Sequence, residues 1–261
     1  MLLRDKRILV TGATGGIGSA LCRQLESAGV RLVISCHNEK LLNDFHSTLD
    51  LKHSVIAADV SSPAGRLEIF NICSLEGGID GVVNLAGMMN FAMFETQPAA
   101  IIEKTIQVNT IAPIEICRLM LPLLRQKDEA VILNVGSIFG SIGHPGFSVY
   151  CASKAAIKTF SEALARELAD SPITVSYIAP RATHTKLNSE KVVALNAALG
   201  NRADSPEYVA SQIIKVLISV QTSRYLGWPE SLFVRINTLL PGLVHKALVG
   251  KLDIIKQHAN S

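Results

Sequence analysis

The chain has 261 residues, 48% of them hydrophobic, enough to bury one substantial core, and α/β sheets reach this size as a single unit. Twenty-five Lys and Arg against 22 Asp and Glu leave a formal net charge of +3 with the basic residues dispersed, which gives no signal for nucleic-acid binding. The five cysteines, Cys22, Cys36, Cys73, Cys117 and Cys151, are odd in number, widely spaced and free of any C-x-x-C, which argues against a disulfide framework and against a zinc site.

Met1 to Lys6 lead straight into the first predicted strand, and no apolar run approaches the ~18 residues needed to span a bilayer. A cytoplasmic protein is therefore expected. Arg7-Ile8-Leu9-Val10 reads as a strand, Thr11 to Gly18 as a glycine turn, and Leu21, Leu25 and Ala28 as the apolar stripe of a helix. Gly12, Gly16 and Gly18 let the backbone turn tightly and approach a pyrophosphate, which sits where free N–H groups and the helix dipole favour anions. The expected dinucleotide contacts of this turn are Gly12, Thr14, Gly15, Gly16, Ile17 and Gly18.

A second strand, Arg31 to Ser35, ends in Cys36-His37-Asn38, where the adenosine ribose of a dinucleotide would lie. No carboxylate is present there to repel a 2′-phosphate, and His37 can donate a hydrogen bond, so NADP is preferred as cofactor with NAD still open. His37 reads equally well as a solvated loop residue. Val55 to Ala58 is the third strand. It ends in Asp59-Val60, and Asp59 would either bond the adenine amino group or cap a turn. Ser61-Ser62-Pro63 starts the following helix. Gly81-Val82-Val83 is the fourth strand, closed by Asn84-Leu85-Ala86-Gly87, whose small residues let backbone approach a ligand.

Helical patterns fill Pro98 to Gln126. Asn109 within them would bridge a helix irregularity, hold a water, or simply be a satisfied interior amide. Ala130 to Val135 is the fifth strand, with Ser137 at its carboxyl edge. Tyr150 and Lys154 follow, four apart at the start of an alanine-rich helical pattern and so on one helix face. An ammonium beside a phenol favours the phenolate, lowering a pKa that starts near ~10 toward the operating pH of a general acid or base. Alone, such a pair is more often a buried aromatic beside a solvated lysine. Ile173 to Ile178 is the sixth strand, followed by Ala179-Pro180-Arg181-Ala182-Thr183-His184-Thr185 on the ligand side of the sheet. A further helix starts at Asp204-Ser205-Pro206-Glu207. Alternation from end to end predicts an α/β fold, a Rossmann-type doubly wound parallel sheet of about seven strands covered on both faces.

Thr11-Gly12-x-x-x-Gly16-x-Gly18, Asn84-x-Ala86-Gly87, Asn109, Ser137 and Tyr150-x-x-x-Lys154, in that order, resemble the short-chain dehydrogenase/reductase family from about residue 5 to about residue 228. The resemblance implies hydride transfer between a nicotinamide and a carbonyl or alcohol carbon. Tyr150 would be the acid/base, Ser137 would position the substrate oxygen, Lys154 would depress the phenol pKa and hold the nicotinamide ribose, and Asn109 would anchor a relay water. Cofactor contacts would extend to Asn84, Ala86, Gly87, Pro180, Thr183 and Thr185, and the molecule would form a homodimer or homotetramer. Three departures stand out: Leu85 replaces the second Asn of Asn-Asn-Ala-Gly, Arg181 replaces a loop glycine, and the Asp-Gly-Gly ending is missing. Arg181 would bind an anionic substrate group or point to solvent.

Residues 1–228 form the expected dinucleotide-binding and catalytic domain, with 229–261 as a helical extension of it. In that tail Leu232, Phe233, Ile236, Leu239 and Leu240, then Leu243, Val244, Ala247, Leu248 and Leu252, recur at helical spacing, with Pro241-Gly242 between two predicted amphipathic helices. The preferred reading is that they pack on the subunit or its oligomer partner. The alternatives are a peripheral membrane contact through 229–257, using Arg235, Lys246, Lys251 and Lys256, or a cover over a lipid-like substrate. Met88, Met89, Phe91, Ile138, Phe139 and Phe147 suggest a mainly hydrophobic carbonyl or alcohol substrate, with His144 an ordinary loop histidine. The rival from another class is a non-catalytic dinucleotide sensor or membrane-surface binding protein.

Overall fold

The computed structural model describes residues 1–51, 53–219 and 221–260. Ser261, the last residue of the predicted extension, lies outside them. Seven strands form one sheet: β1 (Arg7–Thr11), β2 (Arg31–Cys36), β3 (Ser54–Ala57), β4 (Gly81–Asn84), β5 (Ala130–Val135), β6 (Ile173–Ala179) and β7 (Ser223–Tyr225). Their order is β3-β2-β1-β4-β5-β6-β7, and every pairing is parallel. β1 is buried along its whole length because it sits inside the sheet with helices on both faces.

Two-residue periodicity sorts the strand side chains between two cores. Ile8, Val10, Leu32 and Ile34 face one layer, where α1 (Gly16–Ser27) and α8 (Pro206–Ser219) contribute Leu21, Leu25, Val209 and Ile213. Leu9, Val33, Val82 and Ile132 face the other, where α3 (Pro63–Ser74), α5 (Ala112–Leu124) and α6 (Ser148–Glu167) contribute Ile69, Ile116, Met120 and Leu164. The chain reverses direction across the sheet between β1 and β4, so the crevice at the carboxyl ends of these strands is where such a sheet takes a ligand.

Shorter elements complete the layers: α2 (Glu39–His46), α4 (Ala99–Ile106), α7 (Glu190–Ala198) and the tail helices α9 (Glu230–Leu239), α10 (Pro241–Val249) and α11 (Leu252–Asn260). Between α4 and α5 the helix widens into a π turn over Gln107–Ile111, which contains Asn109. The expected irregularity is present there. β7 escapes a pattern search because Ser-Arg-Tyr has no apolar run; it is a strand only because β6 offers it an edge. The tail holds three helices where the spacing predicts two. Gly250-Lys251 ends α10 and frees α11 to turn back, and Ile255 is fully buried against Phe91, Phe147 and Tyr150.

Candidate active site

A cavity of about 1340 Å³ opens at the carboxyl ends of the strands and runs from the glycine turn to the tail helices. Gly12 has φ of +67°, and a Cβ there would lie 2.7 Å from Ala86 Cα, so only glycine fits between β1 and the end of β4. A Cβ on Gly16 would lie 2.7 Å from Thr185 Cγ2, which keeps the loop after β6 against the turn. Gly18 does not line the cavity; it brings α1 close to the turn. Gly15 caps α1 with no side-chain hydrogen bond, and the first turn of α1 carries no acid, so its N–H donors face an anion site without an internal competitor. Thr14, Gly15, Gly16 and Ile17 all border the cavity. The cradle fits a dinucleotide pyrophosphate.

Thr11 Oγ1 accepts hydrogen bonds from Leu85 N at 3.1 Å and Ala86 N at 3.2 Å, which tethers the end of β4 and holds Ala86 and Gly87 in the cavity wall. At the end of β2, Cys36 is buried with its Sγ 2.8 Å from Thr14 Oγ1, while His37 is exposed on the wall. Asn38 does not reach the cavity. Its Oδ1 accepts from Leu41 N and caps α2.

Asp59 and Val60 do line the cavity. Asp59 Oδ1 accepts from both Ser61 N and Ser61 Oγ, and Oδ2 lies 3.0 Å from Lys104 Nζ, so the carboxylate caps a turn. Partial burial works to raise its pKa, but the bonds from Ser61 and Lys104 more than offset it and hold the group at about 2. Asn84 departs from the expected cofactor contact. It sits opposite Asn134 in the β4–β5 register, donates to Asn134 Oδ1 at 2.8 Å, and is buried inside the sheet.

Asn109 is likewise turned inward. Its Oδ1 accepts from Met88 N, and its Nδ2 donates to Met88 O and Ser153 Oγ, so the side chain is engaged with protein atoms and ties the β4 loop to α6. A Cβ on Gly87 would come 3.5 Å from Lys154 Nζ, and the small residue leaves space for that ammonium.

Ser137, Tyr150 and Lys154 meet on the cavity wall. Tyr150 packs edge-on to Phe139 at 6.4 Å, and Lys154 Nζ is 5.8 Å from the Tyr150 ring centre. Tyr177, which sequence reasoning passes over, holds Ser137 from beneath: its hydroxyl donates to Ser137 O at 3.3 Å and lies 3.4 Å from Ser137 N. The expected lowering of the phenol pKa is reversed. Burial pushes Tyr150 up to about 12, only partly offset by a hydrogen bond with the Ser137 hydroxyl. Burial pulls Lys154 down to about 8, and it donates to Val135 O at 3.1 Å. Helical spacing foretells that the two side chains are neighbours, but not that both lose their water.

Arg181 neither points to solvent nor waits for an anion. Its Nη2 is 2.7 Å from Asp204 Oδ1 and its Nη1 is 3.1 Å from Glu230 Oε2, so the guanidinium clamps the loop after β6 to the start of α9. Pro180 O, in the same loop, accepts from Ile138 N, Thr183 Oγ1 donates to Arg181 O, and Thr185 Oγ1 accepts from Leu187 N. Restoring the glycine with Arg181→Gly leaves two carboxylates without their cation. A loss of about 2 kcal/mol in denaturant unfolding is expected, with faster limited proteolysis near Trp228.

Beyond Tyr150 the cavity wall is mainly apolar. Met88, Met89, Ile138, Phe139 and Phe147 line it as the sequence suggests, whereas Phe91 lies behind, stacked on Phe147 at 4.8 Å. Val192, Leu195 and Leu199 of α7 and the loop after it close one side. Their three- and four-residue spacing was a legible helical stripe. Ile236, Val244 and Leu248 of the tail close the other. His144 also borders the cavity, stacked on Phe139 at 5.0 Å; burial lowers its pKa, so it is neutral near pH 7. Among the described residues, no three His, Cys, Asp or Glu side chains gather as a metal site.

Comparison with known proteins agrees with this geometry. The family described as short chain dehydrogenase matches residues 6–196. The 3-oxoacyl-[acyl-carrier-protein] reductase FabG of Rickettsia typhi is 34% identical over 175 residues, 67% of this chain and 71% of the relative. Dehydrogenase/reductase SDR family member 7B of Bos taurus is 28% identical over 269 residues, 95% of this chain and 82% of the relative. Among solved structures, 3-ketoacyl-(acyl-carrier-protein) reductase from Brucella melitensis complexed with NADH superposes with a TM-score of 0.80 at 24% identity, covering 88% of this chain and 99% of that one.

Proposed function

The chain belongs to the short-chain dehydrogenase family and is an NAD(P)-dependent oxidoreductase, and from that premise we propose that it acts as an NADP-linked reductase on the carbonyl of a long apolar, lipid-like molecule. One observation carries the reading: the wall beyond Tyr150 is built mainly of apolar side chains from α7, α9 and α10, among them Val192, Leu195, Ile236, Val244 and Leu248. The relative named as a 3-oxoacyl-[acyl-carrier-protein] reductase points to the same substrate class.

The glycine turn and the N-terminus of α1 would hold the cofactor pyrophosphate, Val60 and Ala86 would border the adenine, and His37 would meet a 2′-phosphate. When bound, the dinucleotide supplies the hydride. Tyr150 donates its proton to the carbonyl oxygen. Ser137 orients that oxygen through its hydroxyl, and Lys154 keeps a positive charge beside the phenol as the proton leaves. A phenol held protonated is the form that proton delivery to a carbonyl oxygen requires. Assembly into a homodimer or homotetramer through α5 and α6 belongs to the same proposal, supported by the apolar groove of Ile114, Leu121, Phe160 and Leu164 between them.

Fluorescence titration with NADPH and NADH, followed by a series of ketones and 3-oxoacyl esters of increasing length, tests the reading. kcat/KM is expected to rise up to roughly fourfold per added methylene until the chamber fills, since each buried methylene contributes about 0.8 kcal/mol. His37→Asp is expected to weaken NADPH at least about tenfold and to leave NADH unchanged, because a carboxylate repels the 2′-phosphate. Faster turnover of small charged keto acids would remove the lipid-like substrate from the proposal.

A further inference from the structure

The tail helices α9 and α10 are only half accounted for by the chamber they close. α9 buries Val234 alone, α10 buries none of its side chains, and the pair is bent by 120° at Leu240. Outside the cavity, Leu239 is 78% exposed and Leu240 57%, with Leu232 and Val249 also exposed; Trp228 is 70% exposed at the cavity mouth. From Ser231 to Lys251 there is no Asp or Glu, while Arg235, Lys246 and Lys251 are exposed with no ion-pair partner among the described residues.

We propose that the α9–α10 hairpin seats on an anionic phospholipid surface, with Leu239 and Leu240 in the boundary between headgroups and acyl chains, and opens the chamber toward the membrane. Charge selects this occupant: beyond Glu230, whose carboxylate is held by Arg181, exposed apolar side chains interleaved with unpaired cations and free of carboxylates match a negatively charged bilayer. Length fixes the depth. Helices of ten and nine residues are each about 15 Å long or less, against a hydrocarbon core of about 30 Å, and among the described residues no single helix is long and apolar enough to cross. The hairpin therefore lies in one leaflet. Phe233 and Leu243 are exposed and also line the cavity, so the docking face and the chamber mouth are continuous, and an apolar substrate passes between them without crossing water.

The purpose of this surface rests on the lipid-like substrate, but its test does not. The full chain is floated on a density gradient with phosphatidylcholine vesicles, with and without phosphatidylserine, at low and high salt. Flotation with the anionic vesicles, reduced by salt and weak on the neutral ones, is expected. Arg235→Gln with Lys246→Gln is expected to weaken binding on the order of 25-fold, about fivefold per cation. Leu239→Gln with Leu240→Gln is expected to weaken it at least about tenfold with unchanged thermal unfolding, since both leucines are already in water in the free protein. No flotation, or equal flotation of wild type and both variants, overturns the proposal. So does a wild-type dimer that the leucine pair converts to monomer while vesicle binding is unchanged, which would make this face an interface between two copies. Flotation without turnover of long-chain ketones would leave the docking intact and remove the substrate reading instead.

Discussion

Tyr150→Phe is expected to lower kcat on the order of a hundredfold to ten-thousandfold while leaving the affinity for the dinucleotide within about twofold. Phenylalanine keeps the ring that packs against Phe139 and removes only the hydroxyl paired with Ser137, so the loss falls on proton delivery and not on the cavity. A dinucleotide sensor would be indifferent to the change. The wild-type pH profile carries a second signature. Tyr150, raised to about 12, stays protonated across the working range, whereas Lys154, lowered to about 8, is charged below that pH and loses its charge above it. The reductive rate is therefore expected to be flat below about pH 8 and to fall up to tenfold per unit above it. Lys154→Met is expected to remove that break, and a profile that still breaks in the variant would assign it to another group.

The difference between these values and the sequence expectation shows what a linear reading reaches. The spacing of Tyr150 and Lys154 fixes their shared helix face, because helical geometry is local. Their pKa values depend on how much of the fold covers them, and for Tyr150 that cover comes from elements scattered along the chain: Phe91, Phe147, Val192, Leu195 and, from the far end, Ile255. The same distinction separates Gly12 from Asn84. The glycine turn was legible because strand, turn and helix are contiguous. Asn84 is expected as a cofactor contact from the family resemblance alone, and its actual partner, Asn134, belongs to a strand whose register against β4 no local pattern states. Arg181 follows the same logic, since Asp204 and Glu230 are brought to it only by the loop after β6 and the return of the tail.

Arg7→Met is expected to cost about 3–5 kcal/mol and to lower the thermal midpoint by about 10 °C, with dinucleotide binding preserved. In sequence Arg7 is the unremarked first residue of β1. In the structure it is 2% exposed, and its guanidinium donates to the carbonyls of Ile72, Cys73, Leu75 and Gly78 and to Ser54 Oγ. Those carbonyls belong to the end of α3 and the chain just after it, where a helix leaves its last acceptors unpaired and its dipole is negative. One fork of donors therefore satisfies several buried acceptors and joins α3 to the amino end of β1. Methionine matches the length and offers no donor, so the acceptors lose their partner without gaining solvent. Arg7→Lys keeps the charge but not the planar fork, and is expected to fall between the two. Because Arg7 lies at the amino ends of the strands and the cavity at their carboxyl ends, calorimetric unfolding and NADPH titration read independent quantities. A midpoint within about 3 °C of wild type would mean that these carbonyls find other donors and that the Arg7 fork is not what holds α3 to the sheet.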